Sequence, residues 1–190
     1  MDLKSCREII PTVKTLESLE KLDEKKKIEI LSNFIKHLLM VQAAMVVPLV
    51  ERYGEEAKEY IKKRLRDQMR QRYKQIAKEK KLGSDLSAFS KLIWETCLLP
   101  LAIIGQKGGT VVEATDRRLV TRDTMCVLLE GWKEGTDKPE IMCEIDSEVE
   151  KAMAEAINPN MTYTKYDWGM ARGKPYCEFI VELKETPIKH

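Results

Sequence analysis

The chain changes texture at Gly105, and this change restricts its possible folds more than any other feature. Before Gly105, apolar residues return at helical spacing. After it, β-branched and aromatic residues gather in short runs divided by turn residues, with two further helical stripes between them. A helical half followed by strand, strand, helix, helix, strand, strand predicts an α+β fold. In such a fold a small antiparallel sheet carries helices on one face.

In the first half, Val13, Leu16, Leu19 and Leu22 predict a helix over 12–22. Ile28, Leu31, Ile35, Leu38 and Leu39 give a second stripe, which runs into the wholly apolar surroundings of Met45-Val-Val. Pro48 is expected to kink or restart this helix. Ala57, Ile61, Leu65, Met69 and Tyr73 then fall every four residues, so a long amphipathic helix should end near Leu82-Gly83, with glycine as its cap. Ser84-Asp85 should cap a further helix carrying Leu86, Phe89, Leu92, Ile93 and Trp94, limited by Pro100.

In the second half, 110–115 and 119–121 read as a strand pair around an Asp116-Arg-Arg turn. A helix is expected from Asp123 or Thr124, carrying Cys126 in its first turn and stopping near Gly135. Lys138-Pro139-Glu140 opens another helix, which Asn158-Pro159 ends. Strands over 161–168 and 176–183 close the chain. The last has Cys177, Phe179, Val181 and Leu183 on one face. The expected organisation is a single domain over 1–190, with 1–104 as helical scaffold and 105–190 as the part that bears the site.

Charge argues against a polyanionic partner, since 33 basic residues face 31 acidic ones. The basic excess that does exist lies in 58–81, eleven Lys or Arg against three acids, and reads as a solvated helix face without nucleic acid. Five cysteines in a chain large enough to bury a core, with no apolar signal segment at Met1-Asp-Leu-Lys, suggest reduced thiols in the cytoplasm. No apolar run is expected to reach the length of a membrane span, so no membrane partner is expected.

Chemistry concentrates after Asp123. Cys126, Cys143 and Cys177 lie too far apart in sequence for a zinc ribbon, yet sit on three different elements that the fold could gather. Cys126 near a helix start has the setting that favours a thiolate. Cys143 and Asp146 share a helical face, where a carboxylate can orient water or act as a general base. Burial in the core is the competing reading for each cysteine. Glu144, Glu148 and Glu150 read as ordinary solvated positions.

Cys126, Cys143-Glu-Ile-Asp146, Asn158-Pro159 and Gly173-Lys-Pro-Tyr-Cys177-Glu-Phe179 together resemble the signature of the L-2-amino-thiazoline-4-carboxylic acid hydrolase-like family. The last block is also similar to the closing strand of vinyl-reductase-type small-molecule-binding domains. Lys174 departs from that family's pattern, where Asp often follows the glycine. The resemblance implies an α+β domain that opens a small sulfur- or nitrogen-containing ring by adding water. It implies a site at Cys126, Cys143, Asp146 and Cys177, with Asn158 nearby.

The resulting expectation is a cytosolic hydrolase that opens a C–N bond in a small cyclic amidine- or thiazoline-like substrate. Cys126 or Cys143 attacks or helps activate water, Asp146 handles the proton, and Asn158 and Glu130 bind substrate. No cofactor is expected, a metal held by the cysteines being a variant. The alternative is a non-catalytic small-molecule-binding sensor or carrier. The apolar stretch 40–50 predicts a homo-oligomer.

Overall fold

The protein is described here from a computed structural model, over residues 21–106 and 109–184. The helix expected over 12–22 lies, but for Lys21 and Leu22, outside the described residues.

Helix α1 (Glu24–Glu79) is capped by Asp23, whose side chain accepts from the Lys26 N–H. It bends at Gly54, where φ is +73° and ψ is −159°. The expected break at Pro48 is not where the axis turns. Proline removes one hydrogen bond but keeps a helical φ, whereas the conformation at Gly54 is one that only glycine adopts at low cost. The helix also ends earlier than Gly83. Lys80 caps it, and Lys81 takes the left-handed φ of +53°.

Asp85 caps α2 (Leu86–Ile93) as expected, accepting from the Ala88 N–H at 2.8 Å. The chain does not stop before Pro100. A π-helical turn, Trp94–Leu98, leads into α3 (Leu99–Ile103), with Pro100 in its first turn. The helical backbone runs on through the π-turn into α3, so Pro100 does not end it.

The strands are β1 (Gly109–Ala114), β2 (Arg118–Asp123), β3 (Met161–Asp167) and β4 (Cys177–Leu183). Between β2 and β3 lie α4 (Val127–Gly135) and α5 (Pro139–Ile157). The sheet is antiparallel throughout, in the order β1-β2-β4-β3. This is the expected α+β arrangement. Registers Leu119↔Val181, Thr121↔Phe179 and Asp123↔Cys177 put these six side chains on one face. Leu119, Val181 and Leu183 of that face meet Phe89, Leu92, Met153 and Ile157 in the main core. Phe89 and Leu92 are fully buried, each contributing about 1.5–3 kcal/mol. The opposite face carries ion pairs instead. Glu178 bridges Arg122 and Lys165, each at 2.6 Å.

The two limbs of α1 pack differently. The limb before Gly54 lies so close to α4 that a Cβ on Gly135 would come 2.2 Å from the Met40 carbonyl oxygen, and one on Gly131 would come 2.8 Å from Leu39 Cβ. The limb after it lies along α5 and faces it with charge. Lys58 and Lys62 pair with Glu144, and Arg66 pairs with Glu148 and Glu155. Glu148 is 4% exposed. The expected solvated readings of Glu144 and Glu148 are thus corrected, while that of 58–81 holds for most of its basic residues, Lys63, Arg64, Arg72, Lys74, Lys78, Lys80 and Lys81 being exposed, and fails for those that pair with α5. Residues spaced by four on α1 meet residues spaced by four and seven on α5, so the charges interlock between helices.

Two helical stretches, within Glu24–Glu79 and over Leu86–Ile103, are long and apolar enough to cross a membrane by length and composition. This corrects the expectation that no run reaches that length. Polar residues interrupt the apolar stretch of α1, but its average remains apolar. Leu31, Phe34, Leu38, Val41 and Met45 of this stretch are exposed along one side of α1.

Candidate functional site

A cavity of about 440 Å³ opens between the inner face of the sheet and the arm formed by α2, the π-turn and α3. Its walls are largely apolar, with Phe89, Ile93, Trp94, Leu98, Val111 and Phe179 among them. The arm is fastened over the sheet by Gln106, whose amide donates to the Met125 carbonyl and accepts from the Val127 N–H. Two carboxyl groups enter these walls, Asp123 from the end of β2 and Glu150 from the middle of α5.

Glu150 was read from sequence as solvated, and the structure corrects this. Tyr163 on β3 donates its hydroxyl to Glu150 Oε2 at 2.8 Å. Burial pushes the Glu150 carboxyl up to about 7, with the Tyr163 and Tyr166 hydroxyls opposing that rise. Tyr163 and Tyr166 pack on each other, with ring centres 5.3 Å apart, and Tyr166 packs edge-on to Phe179. These rings hold the hydroxyls against α5. Cys143, Asp146 and Glu150 follow one another at intervals of three and four along α5, so the signal for Glu150 is a continued helical stripe.

Asp146 is half-buried as a residue, but its carboxyl sits deep enough that burial raises it to about 6. It acts electrostatically on Glu150 one turn away. Burial also raises Asp123, and no hydrogen bond contributes to its shift. Asp123 stands directly across the β2–β4 pair from Cys177, and its Oδ1 lies over Gly109, 3.0 Å from where a Cβ would be. Helix α4 starts later than expected, because β2 continues through Asp123.

Cys126 is therefore the N-cap of α4, with Sγ accepting from the Leu129 N–H at 3.4 Å. The helix-start setting does lower its pKa, but burial outweighs it and pushes the thiol up to about 11. Cys143 and Cys177 are likewise raised, chiefly by burial. Cys126, Cys143, Cys177 and Asp146 stand within electrostatic reach of one another around the N-terminal end of α5. They flank the carboxyl end of the cavity, but its lining residues are others. Among the described residues, ligand-type atoms converge within 4.8 Å of one another at Glu55, Glu59 and Glu144, and lysines already pair with all three. The three sulfurs form no such cluster, which removes the geometric basis for a metal held by all three.

Asn158 and Glu130 stand elsewhere. Asn158 ends α5, donating to the Ser84 carbonyl and accepting from the Asn160 N–H, so its amide is spent on the turn. Fifteen residues of helix separate it from Cys143, about 22 Å at 1.5 Å per residue. Glu130 is exposed on α4, 3.9 Å from Lys36.

No curated protein and no solved structure gives a significant match to this chain. A family model does match, that of L-2-amino-thiazoline-4-carboxylic acid hydrolase, over residues 32–181. Its reach from α1 to β4 takes in the cavity, its carboxyl groups and the three flanking thiols, and the chain belongs to that hydrolase family.

Proposed function

We propose that this protein is a cytoplasmic hydrolase that opens a C–N bond in a small cyclic amidine- or thiazoline-like substrate. The observation that carries this reading is Glu150, a carboxyl in the cavity wall, held by a tyrosine hydroxyl and titrating near 7. A group with that pKa exchanges protons in either direction at neutral pH.

In the proposed step, Glu150 as carboxylate takes a proton from water while the water oxygen bonds to the amidine-type ring carbon. The carboxyl returns this proton to the ring nitrogen, which takes up the C=N electron pair on attack; relay of the added hydroxyl's proton to the same nitrogen then accompanies carbonyl formation and C–N cleavage, so one water is added in sum. Asp146 assists as a second carboxyl one turn away. The thiols of Cys126, Cys143 and Cys177 are protonated at neutral pH and enclose this end of the cavity. The carboxyl route is therefore favoured over thiolate attack.

Rates of ring opening on a panel of 2-amino-thiazolines and cyclic amidines test the proposal. Glu150→Gln should lower the rate at least about 10²-fold, a usual worth of general acid–base catalysis, with ligand binding retained. An unchanged rate overturns the assignment. Ligand binding without turnover in the unsubstituted protein favours the sensor or carrier alternative.

We further propose that the protein self-associates through α1. Leu31, Phe34, Leu38, Val41 and Met45 follow one another at intervals of three and four, the spacing of a helix–helix seam, and all are exposed. Charge beside the stripe favours a second copy over lipid. The other side of the same limb packs against α4 and α5, where Lys133, Glu134 and Asp137 are exposed.

A further inference from the structure

We infer that a bulge in β3 turns two phenols onto Glu150, and that Tyr163, the one that also lines the cavity, is a further catalytic group, the hydrogen-bond donor to the oxygen added at the ring carbon. The role of Tyr163 rests on the hydrolase reading above. The bulge and the convergence on Glu150 stand without it.

Tyr163 and Tyr166 are three residues apart, and in a regular strand that spacing sends side chains to opposite faces. The register against β4 shifts between Tyr163 and Lys165. Tyr163 stands opposite Val181, Lys165 opposite Ile180 and Tyr166 opposite Phe179, with Thr164 as the extra, exposed residue. Both tyrosines therefore share the inner face with Val181 and Phe179, while Lys165 reaches Glu178 on the outer face. Unbroken alternation would have put Lys165 inside and Tyr166 outside. A bulge that re-aims a side chain beside a cavity is a common device of functional sites.

The two phenols are not equivalent. Tyr163 lines the cavity and donates to Glu150 Oε2 at 2.8 Å. Tyr166 packs behind it, its ring centre 5.3 Å from that of Tyr163 and 4.6 Å from that of Phe179. Tyr166 is thus a positioning residue.

A donor one hydrogen bond from the base is also within reach of the water that the base deprotonates. Before proton transfer the Tyr163 hydroxyl is committed to the Glu150 carboxylate. Once Glu150 holds the proton its pull on that hydroxyl falls, and the hydroxyl turns to the oxygen gaining charge at the ring carbon. The Tyr163 O–H bond stays intact throughout. The contact is made as charge develops and not before, which lowers the barrier without tightening substrate binding. Burial and the neighbouring Glu150 charge hold Tyr163 well above its ordinary pKa, so it serves as donor and not as base.

Burial raises Glu150, and against it Tyr163 acts more strongly than Tyr166. The charges of Asp146 on α5 and Asp123 on β2 add to the rise. Cys97 of the π-turn and Cys177 of β4 also face Glu150, and burial keeps both thiols protonated at neutral pH.

Tyr163→Phe and Tyr166→Phe test this by two readouts. In ring opening on the panel named above, Tyr163→Phe should lower kcat at least about 10²-fold, the usual worth of one such donor, with KM little changed. The acid limb of its pH profile should move to higher pH. Tyr166→Phe should move that limb less and lower kcat less. Urea denaturation across pH reads Glu150 without turnover and shows that each variant folds. Losing a phenol raises the folded-state pKa, so the loss of stability should continue to higher pH, further for Tyr163→Phe than for Tyr166→Phe. Titration unmoved in both variants overturns the convergence. Ring opening that Tyr163→Phe leaves intact, or a rise in KM alone, overturns the donor role and spares the hydrolase reading. No ring opening by the unsubstituted protein overturns that reading and the donor role together, while a moved titration still upholds the convergence.

Discussion

The Tyr163 hydroxyl meets Glu150 Oε2 at 2.8 Å across the seam between β3 and α5, which ties the proton affinity of a cavity carboxyl to the packing of the sheet. Burial raises this carboxyl from its ordinary 4.5 to about 7. The folded state therefore holds its proton more tightly than the unfolded chain does. Below pH 4.5 both states are protonated and the group does not weaken the fold. As pH rises from 4.5 to 7, the unfolded state ionises first, and stability is lost progressively. The loss levels off above 7, at a value on the order of 3 kcal/mol. Glu150→Gln keeps an acceptor for Tyr163 and does not titrate. Urea denaturation should show the variant gaining on the unsubstituted protein between pH 4.5 and 7, with little difference below pH 4. A pH-independent difference would place the titration elsewhere.

The thiols should be slow. With Cys97 and Cys126 pushed up to about 11, the thiolate fraction at pH 7 is about 10²-fold below that of a free cysteine. Thiol-reactive labelling of the native protein followed by mass spectrometry should therefore find Cys97, Cys126, Cys143 and Cys177 slow at pH 7 and faster as pH rises. One rapidly labelled thiol among Cys126, Cys143 and Cys177 would restore the thiolate nucleophile.

Two glycines should fail on substitution for different reasons. At Gly135 the added Cβ meets the Met40 backbone at 2.2 Å, so Gly135→Ala must push α1 away from α4, costing about 3 kcal/mol or more. At Gly54 nothing lies within 4 Å, and the cost of Gly54→Ala comes from its φ of +73°, about 1–3 kcal/mol. Chemical denaturation gives both values. Relief of the first by shortening the Leu39 or Met40 side chains is not expected, because the contact at Gly135 is with backbone.

The α1 seam predicts an oligomer that charge can open. Sedimentation at micromolar concentration should show self-association, and Leu38→Glu with Met45→Glu should yield monomer with unchanged helical content. Monomeric behaviour of the unsubstituted protein would leave the exposed stripe to another partner.

Much of the fold was legible in the sequence because it depends on neighbours along the chain. Asp85 caps α2, Pro139 opens α5 and Asn158-Pro159 closes it, since caps and breakers act within one turn. The alternation of Cys177, Phe179, Val181 and Leu183 likewise survives as the inner face of β4. The bend of α1 misled because two breakers stand six residues apart. Proline weakens a helix without having to turn it, while Gly54 adopts a backbone no other residue takes cheaply.

The site divides along the same line. Sequence spacing alone put Cys143 and Asp146 on one helical stripe, and that stripe continues to Glu150. Which member of it bears on a cavity could not be read there, because solvation depends on what arrives from distant strands. Tyr163, thirteen residues on, turns Glu150 from a solvated acid into a proton-exchanging wall group, and β2 delivers Asp123 from before both helices. Helix dipoles and hydrogen bonds at Cys126 were local and foreseeable, but the desolvation that overrides them is a property of the assembled core. The sequence by itself determined the order, ends and faces of the elements, through contacts within a few residues. Only the tertiary structure decided which charged groups lost their water, because burial is set by residues that meet from far apart.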